Sequence, residues 1–470
     1  MLRHALLASG LAVIALVAGC PSRNQVNCTM AADCDSQAGG ACLAGPNGGG
    51  SWCAYPASEC PSGMRWSDID TDPLIAGTCV GGDVDAGVDA TDAPIDGPPF
   101  DGPTVGPVST GQYASLVIGQ SDFTTSAANS DGQSSSSLAG PARVATDGTS
   151  LWVADGTNAR VLQWSTVPIV NRPVANFVVG QANANTSTSA TTQTSLRTGS
   201  VGVHASGGRL FVVDGTSNRV LIFNSIPTQN GAPAATVLGQ GDFTSSISGK
   251  SASGLYSPTD VWSDGTRLIV VDNGNSRVLI WNAIPTANGQ AANVVLGRAA
   301  FGVGSGDAVP NPPTQTSMAF PTGVYVDGSR LYVADTTNHR VLVWNSIPTT
   351  NGAAADFVLG QADFAGNSPN AGGATANEIG LDRPQDMVVA SGALFIADSN
   401  NNRVVVHFPI PSASADPAEG ALGQDNLSSN TTPVTPTGNR MSSPRGLAVT
   451  STRLFVAEYG WNRVLGFTLQ

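Results

Sequence analysis

From about residue 113 onward, apolar residues arrive in short β-rich bursts separated by turn residues, as in "VYVDGSRLYVAD" at 324–335. That stretch predicts two strands joined at Asp327-Gly328, because glycine tolerates the positive φ of a tight hairpin turn. The same pattern stands in "VATDGTSLWVAD" with Asp147-Gly148 and in "VWSDGTRLIVVD" with Asp264-Gly265. Downstream of 335, "RVLVWNSIP" predicts a third strand and "ADFVLGQ" a fourth, with a link rich in proline and glycine between them. With 55 glycines and 30 prolines and few charges, the composition argues against a helical protein.

The four-strand pattern is written six times. The copies follow one pattern, Leu-x-x-Pro, a strand, a turn, "RLxVAD", a turn, "RVLxW", a link, then "VLGQ", so the repeat governs the fold. An acidic residue ends the second strand of each copy: Asp155, Asp214, Asp272, Asp335, Asp398 and Glu458. Five residues after each stands an arginine: Arg160, Arg219, Arg277, Arg340, Arg403 and Arg463. The unit is therefore about sixty residues of four antiparallel strands, which is a propeller blade. The ends decide between a ring and an open stack. "LVIGQ" at 116–120 precedes any Asp-x₄-Arg motif, while the last unit stops at "NRVLGFTLQ" with no such segment after it. The N-terminal strand is thus expected to complete the last blade, so the fold class is all-β, a six-bladed β-propeller spanning 111–470.

"NHRVLVWN" at 338–345 and its sisters "NRVLIFN", "SRVLIWN" and "NRVVVHF" resemble the NHL repeat family over roughly residues 113–470. Blades in that family are usually shorter. The excess here lies between "GQ" and "LxxP", for example "SDFTTSAANSDGQSSSS".

The first hundred residues are of another kind. "MLRHALLASGLAVIALVAGC" carries Arg3, then an apolar run too short to span a membrane, and reads as a secretory signal over 1–19. Its end, Ala18-Gly19-Cys20, resembles the lipobox of bacterial lipoproteins, which implies cleavage before Cys20 and diacylation of its thiol. Acyl chains contribute about 0.8 kcal/mol per buried CH₂, so several would tether the chain to a membrane without spanning it. Cys28, Cys34, Cys42, Cys53, Cys60 and Cys79 remain, an even set within 20–80. In an exported chain they predict three disulfides in one of about 15 pairings. A zinc site would need Cys-x-x-Cys or histidine partners, which the spacings lack. Residues 81–110 hold six aspartates (83, 85, 89, 92, 96 and 101) and no basic residue, and predict a solvated, self-repelling linker. The alternation of Asp83, Asp85 and Asp89 lacks the glycine-to-glutamate framework of a calcium loop. The Cys-rich segment and Asp-rich stalk resemble those of myxobacterial surface lipoproteins. Together these imply a place in the cell envelope, at the outer membrane or cell surface.

The formal charge of −13 is concentrated in the first 104 residues, leaving the repeats nearly neutral with one lysine, Lys250. Nothing marks a nucleic-acid face. The repeated Asp and Arg predict turn chemistry: the carboxylate accepts local N–H bonds and the guanidinium pins the loop. His339 lies in the turn where the other copies have Ala159, Asn218, Ser276, Asn402 and Asn462, so no ligand is required there. His204 and His407 fall at packing positions of different strands. Most tryptophans belong to the repeat pattern and read as packing. No Gly-x-Ser-x-Gly, His-Glu-x-x-His or phosphate loop is present.

In the propeller geometry implied by the resemblance, residues just after the Leu-x-x-Pro proline reach the channel rim. There Arg143, Asp260, Asp386 and Arg445 put mixed charge where a structural repeat would tolerate glycine. Either a ligand or Ca²⁺ sits between Asp260 and Asp386, or the four pair among themselves around a wet channel. The expected function is a monomeric, membrane-tethered scaffold without catalytic residues or other cofactor, binding a protein or glycan on the face of the long connections and Asp/Arg turns. The alternative is a channel-centred, metal-assisted lyase or hydrolase. The histidines of the amidating lyase similar to NHL proteins find no residue-by-residue match here.

Overall fold

The computed structural model describes residues 41–44, 51–56, 64–66, 104–199, 201–304 and 306–470. The chain divides into two units, Met1–Pro94 and Ile95–Gln470. In the first, Ala41–Ala44, Ser51–Pro56 and Met64–Trp66 form a three-stranded sheet. Its antiparallel register sets Cys42 opposite Cys53. Cys20, Cys28, Cys34, Cys60 and Cys79 lie outside the described residues, as do the signal and residues 81–103 of the linker.

The second unit holds six four-stranded antiparallel sheets. Blade 1 comprises Pro141–Thr146, Leu151–Asp155, Arg160–Trp164 and Phe177–Val179. The first strands of blades 2 to 5 are Val201–Ser206, Asp260–Ser263, Gly323–Asp327 and Pro384–Ala390. Blade 6 takes Pro444–Val449, Arg453–Glu458 and Arg463–Thr468 from the C-terminus and Leu116–Ile118 from the N-terminal side. Leu465 pairs with Val117 in that shared sheet, as the complementary ends of the sequence predict. First strands touch from each blade to the next and from blade 6 back to blade 1, which closes the ring around a central channel. The fold is a six-bladed β-propeller.

Its core consists of six apolar clusters, each filling one gap between neighbouring blades. In blade 4, Val333 and Leu342 pack toward Ile269 and Val271 of blade 3. Tyr332, Ala334, Val341 and Val343 pack the other way, toward Leu394 and Ile396 of blade 5. Second and third strands are thus buried on both faces, which is why they read as unbroken apolar runs. Each fully buried aliphatic side chain contributes about 1.5–3 kcal/mol. The first-to-second hairpins are short. Gly148, Gly265 and Gly328 take φ of +89°, +85° and +58°, and Asp147 Oδ1 accepts the N–H groups of Thr149 and Ser150 at 2.9 and 2.7 Å.

Candidate functional site: a braced face and a plugged channel

The opposite face carries the long connections from each fourth strand to the next blade, together with the second-to-third turns. Those turns follow one design. After Asp335 the chain makes a 3-10 turn over Thr336–Asn338, and His339 then adopts the left-handed conformation, φ +54°. Asp335 Oδ1 accepts the N–H of Ala319, while Oδ2 accepts from Asn338 Nδ2 at 2.9 Å and Arg340 Nε at 2.7 Å. Every neighbour of the carboxylate is a donor. Burial pushes its pKa up, and the Arg340 guanidinium and the donated hydrogen bonds oppose that shift. The other five acid–arginine pairs repeat it, all with fully buried side chains.

The guanidinium spans two connections. Arg340 donates to Thr314 O and Ser317 O in the connection leading into its blade and to Phe364 O in the one leaving it. Arg463 makes the same set, and its outgoing partner is Phe123 O across the ring seam.

Two further braces escaped the sequence reading. The left-handed residue of one blade accepts the N–H preceding the proline of the next: Asn218 from Ser257, Ser276 from Phe320, His339 from Arg383, Asn402 from Ser443 and Asn462 from Gly140. His339 Nδ1 thus sits at an inter-blade latch, 3.2 Å from the donor Arg383 N and 3.0 Å from the acceptor Asp382 Oδ1. Ala159 has no side chain to offer. The second brace is the glutamine of "VLGQ". Gln361 Nε2 donates to His339 O and Ser368 O at 3.0 and 2.8 Å, and Gln120, Gln181, Gln240 and Gln424 repeat this, with Arg298 in blade 3. The recurrence of Asn at the turn and of Gln after Gly was the available signal.

At the channel, Arg143, Asp260 and Asp386 come together, but they are almost fully buried rather than open at a rim. Arg143 reaches across the axis, donating to Ala142 O, Arg445 O, Thr322 O and Gln385 O. Its Nε lies 3.5 Å from Asp260 Oδ1. Asp260 Oδ2 accepts the N–H of Val324, and Asp386 accepts from Met387 and Leu447. Bulges shift the register at Pro141/Arg143, Pro384/Met387 and Pro444/Gly446, re-aiming the side chains there. Burial raises the Asp386 pKa to about 7, with Arg143 opposing and Asp260 adding to the rise. Arg445 turns away and stacks on Tyr459, 3.5 Å from the ring centroid. The Arg143 guanidinium plugs one end of a cavity of about 340 Å³, whose wall includes His204, Trp262 and Tyr325.

The histidines do not converge. His204 Nε2 lies 2.9 Å from Ser263 O between blades 2 and 3, and His407 is buried in the third strand of blade 5. Burial lowers both pKa values to about 4, so both rings are neutral at pH 7. Among the described residues no group of three or more His, Cys, Asp or Glu gathers to hold a metal ion, and no helix is long and apolar enough to cross a membrane.

A family model of the NHL repeat matches residues 318–344, the first three strands of blade 4 with their lead-in. The same unit stands in the other five blades. No curated protein matches the chain. Among solved structures, a streptogramin B lyase structure is 11% identical with a TM-score of 0.36, covering 74% of this chain and 97% of that one.

Proposed function

We propose that this chain is a binding scaffold that holds a protein or glycan on the face of the long connections, and that diacylated Cys20 tethers it to the cell envelope. One observation carries the reading. Six connections of different sequence are fixed by one framework, a buried acid–arginine pair with a glutamine brace that Arg298 replaces in blade 3, so variable side chains sit on a rigid frame, which is how a propeller presents a recognition surface. That face also exposes Ile247, Tyr256, Phe320, Val434 and Tyr459, from 38% to 96% accessible. Isolated apolar residues are ordinary on a surface, but a set on one braced face suits a partner.

The test is retention of envelope components by the full chain and by an Ile247→Asp/Val434→Asp variant of unchanged melting temperature. Loss of a reproducible partner supports the reading; identical retention by both proteins overturns it. Incorporation of labelled palmitate, abolished by Cys20→Ala, checks the anchor. A stoichiometric metal ion in the purified protein, lost on Asp260→Ala, would instead favour metal-assisted chemistry in the channel.

A further inference from the structure

In five blades the residue before the proline that leads into the first strand takes positive φ, and Gly199 does so at the matching place in blade 2, where no proline follows. Three of those five residues are Gly140, Ser257 and Ser443, but blade 4 places Phe320 there at φ +48° and blade 5 places Arg383 at φ +55°. A bulky residue in that region is strained, and such strain persists where the side chain has a use. Phe320 is half exposed. Arg383 is exposed, and its guanidinium has no hydrogen bond or ion pair among the described residues.

The two flank one pocket of about 410 Å³, which also includes Asn273, Thr337 and Gln385. That volume is within the range of about 300–1,000 Å³ typical of small-molecule sites. The Gln385 amide and the Thr337 hydroxyl likewise have no partner among the described residues. The pocket floor is stiff, because Arg143 of the channel plug donates to Thr322 O and Gln385 O.

We propose that this pocket binds a carboxylate-bearing sugar residue of an acidic glycan, an assignment that rests on the partner-binding face described above. The planar guanidinium of Arg383 offers a carboxylate two parallel donors. The ring of Phe320 presents its electron-rich face to the C–H groups of a pyranose. Gln385, Thr337 and the Oδ1 of Asn273 supply donors and acceptors for hydroxyls. An extended peptide is less well served: Pro321 O already accepts from Asn273 and Pro384 O from Thr336, so little free backbone is left for strand-like pairing.

The experiment is calorimetric titration of the full chain with trigalacturonate, maltotriose and triglutamate, repeated on Phe320→Gly and Arg383→Gly. Glycine adopts positive φ without strain, so both variants should melt at or above the parent. Binding of trigalacturonate, weakened about tenfold or more by either substitution and in maltotriose, is the expected result. No binding of trigalacturonate, or binding indifferent to both substitutions, overturns the proposal. Triglutamate binding as tightly, with the same losses, overturns the sugar assignment and leaves the partner-binding face standing. If no probe binds and the Ile247→Asp/Val434→Asp protein also retains every partner, both readings fall.

Discussion

Arg340 shows what one repeated residue does. Its guanidinium is fully buried, bonded to Asp335 and to three carbonyls from two connections. Removing it leaves an uncompensated carboxylate, which costs about 3–5 kcal/mol. Arg340→Ala should therefore lower the melting temperature by several degrees, and Arg340→Lys should not restore it, since an ammonium cannot reach all four acceptors. Asp386 makes a second prediction at this scale. Its folded pKa, about 7, lies above the ordinary 3.8. The folded state then holds a proton that the unfolded chain releases, so its contribution to stability is present at low pH and lost as pH rises from about 4 to 7. Urea midpoints measured from pH 4.5 to 8 should fall less steeply for Asp386→Asn than for the parent.

Within a blade, the strands take their stability from neighbours on both sides, whereas each long connection depends on its own braces. Gln361→Ala should speed amide exchange around Ser368 and leave the strand amides of blade 4 protected. The sequence revealed the blades because they repeat: five Asp-x₄-Arg motifs and one Glu-x₄-Arg place six turns, and Asp-Gly places three of the hairpins. It hid the inter-blade latch, because the donor of His339 is Arg383, 44 residues on and in the next blade. It also hid the plug. Arg143 is one copy of a position where other blades differ, and its acceptors in blades 4, 5 and 6 share no local spacing with it. Phe320 and Arg383 read only as residues before a proline, since backbone sign at one position leaves no periodic trace.

For the whole molecule, the sheet of blade 6 is completed by three pairings, Ile118 to Val464, Val117 to Leu465 and Leu116 to Gly466. A chain lacking residues 104–120 should lose cooperative unfolding, whereas a circular permutant opened at the exposed Asp327-Gly328 hairpin, with the natural ends joined, should keep it; denaturation followed by circular dichroism distinguishes them. The shared blade has a consequence for biosynthesis. Strand 116–118 emerges from the ribosome early but finds its partner only after residue 463 has been made. Until then blades 1 and 5 each keep an apolar flank uncovered, the flanks that later meet blade 6. A chain that stops before residue 463 therefore leaves both apolar flanks open to water and to aggregation.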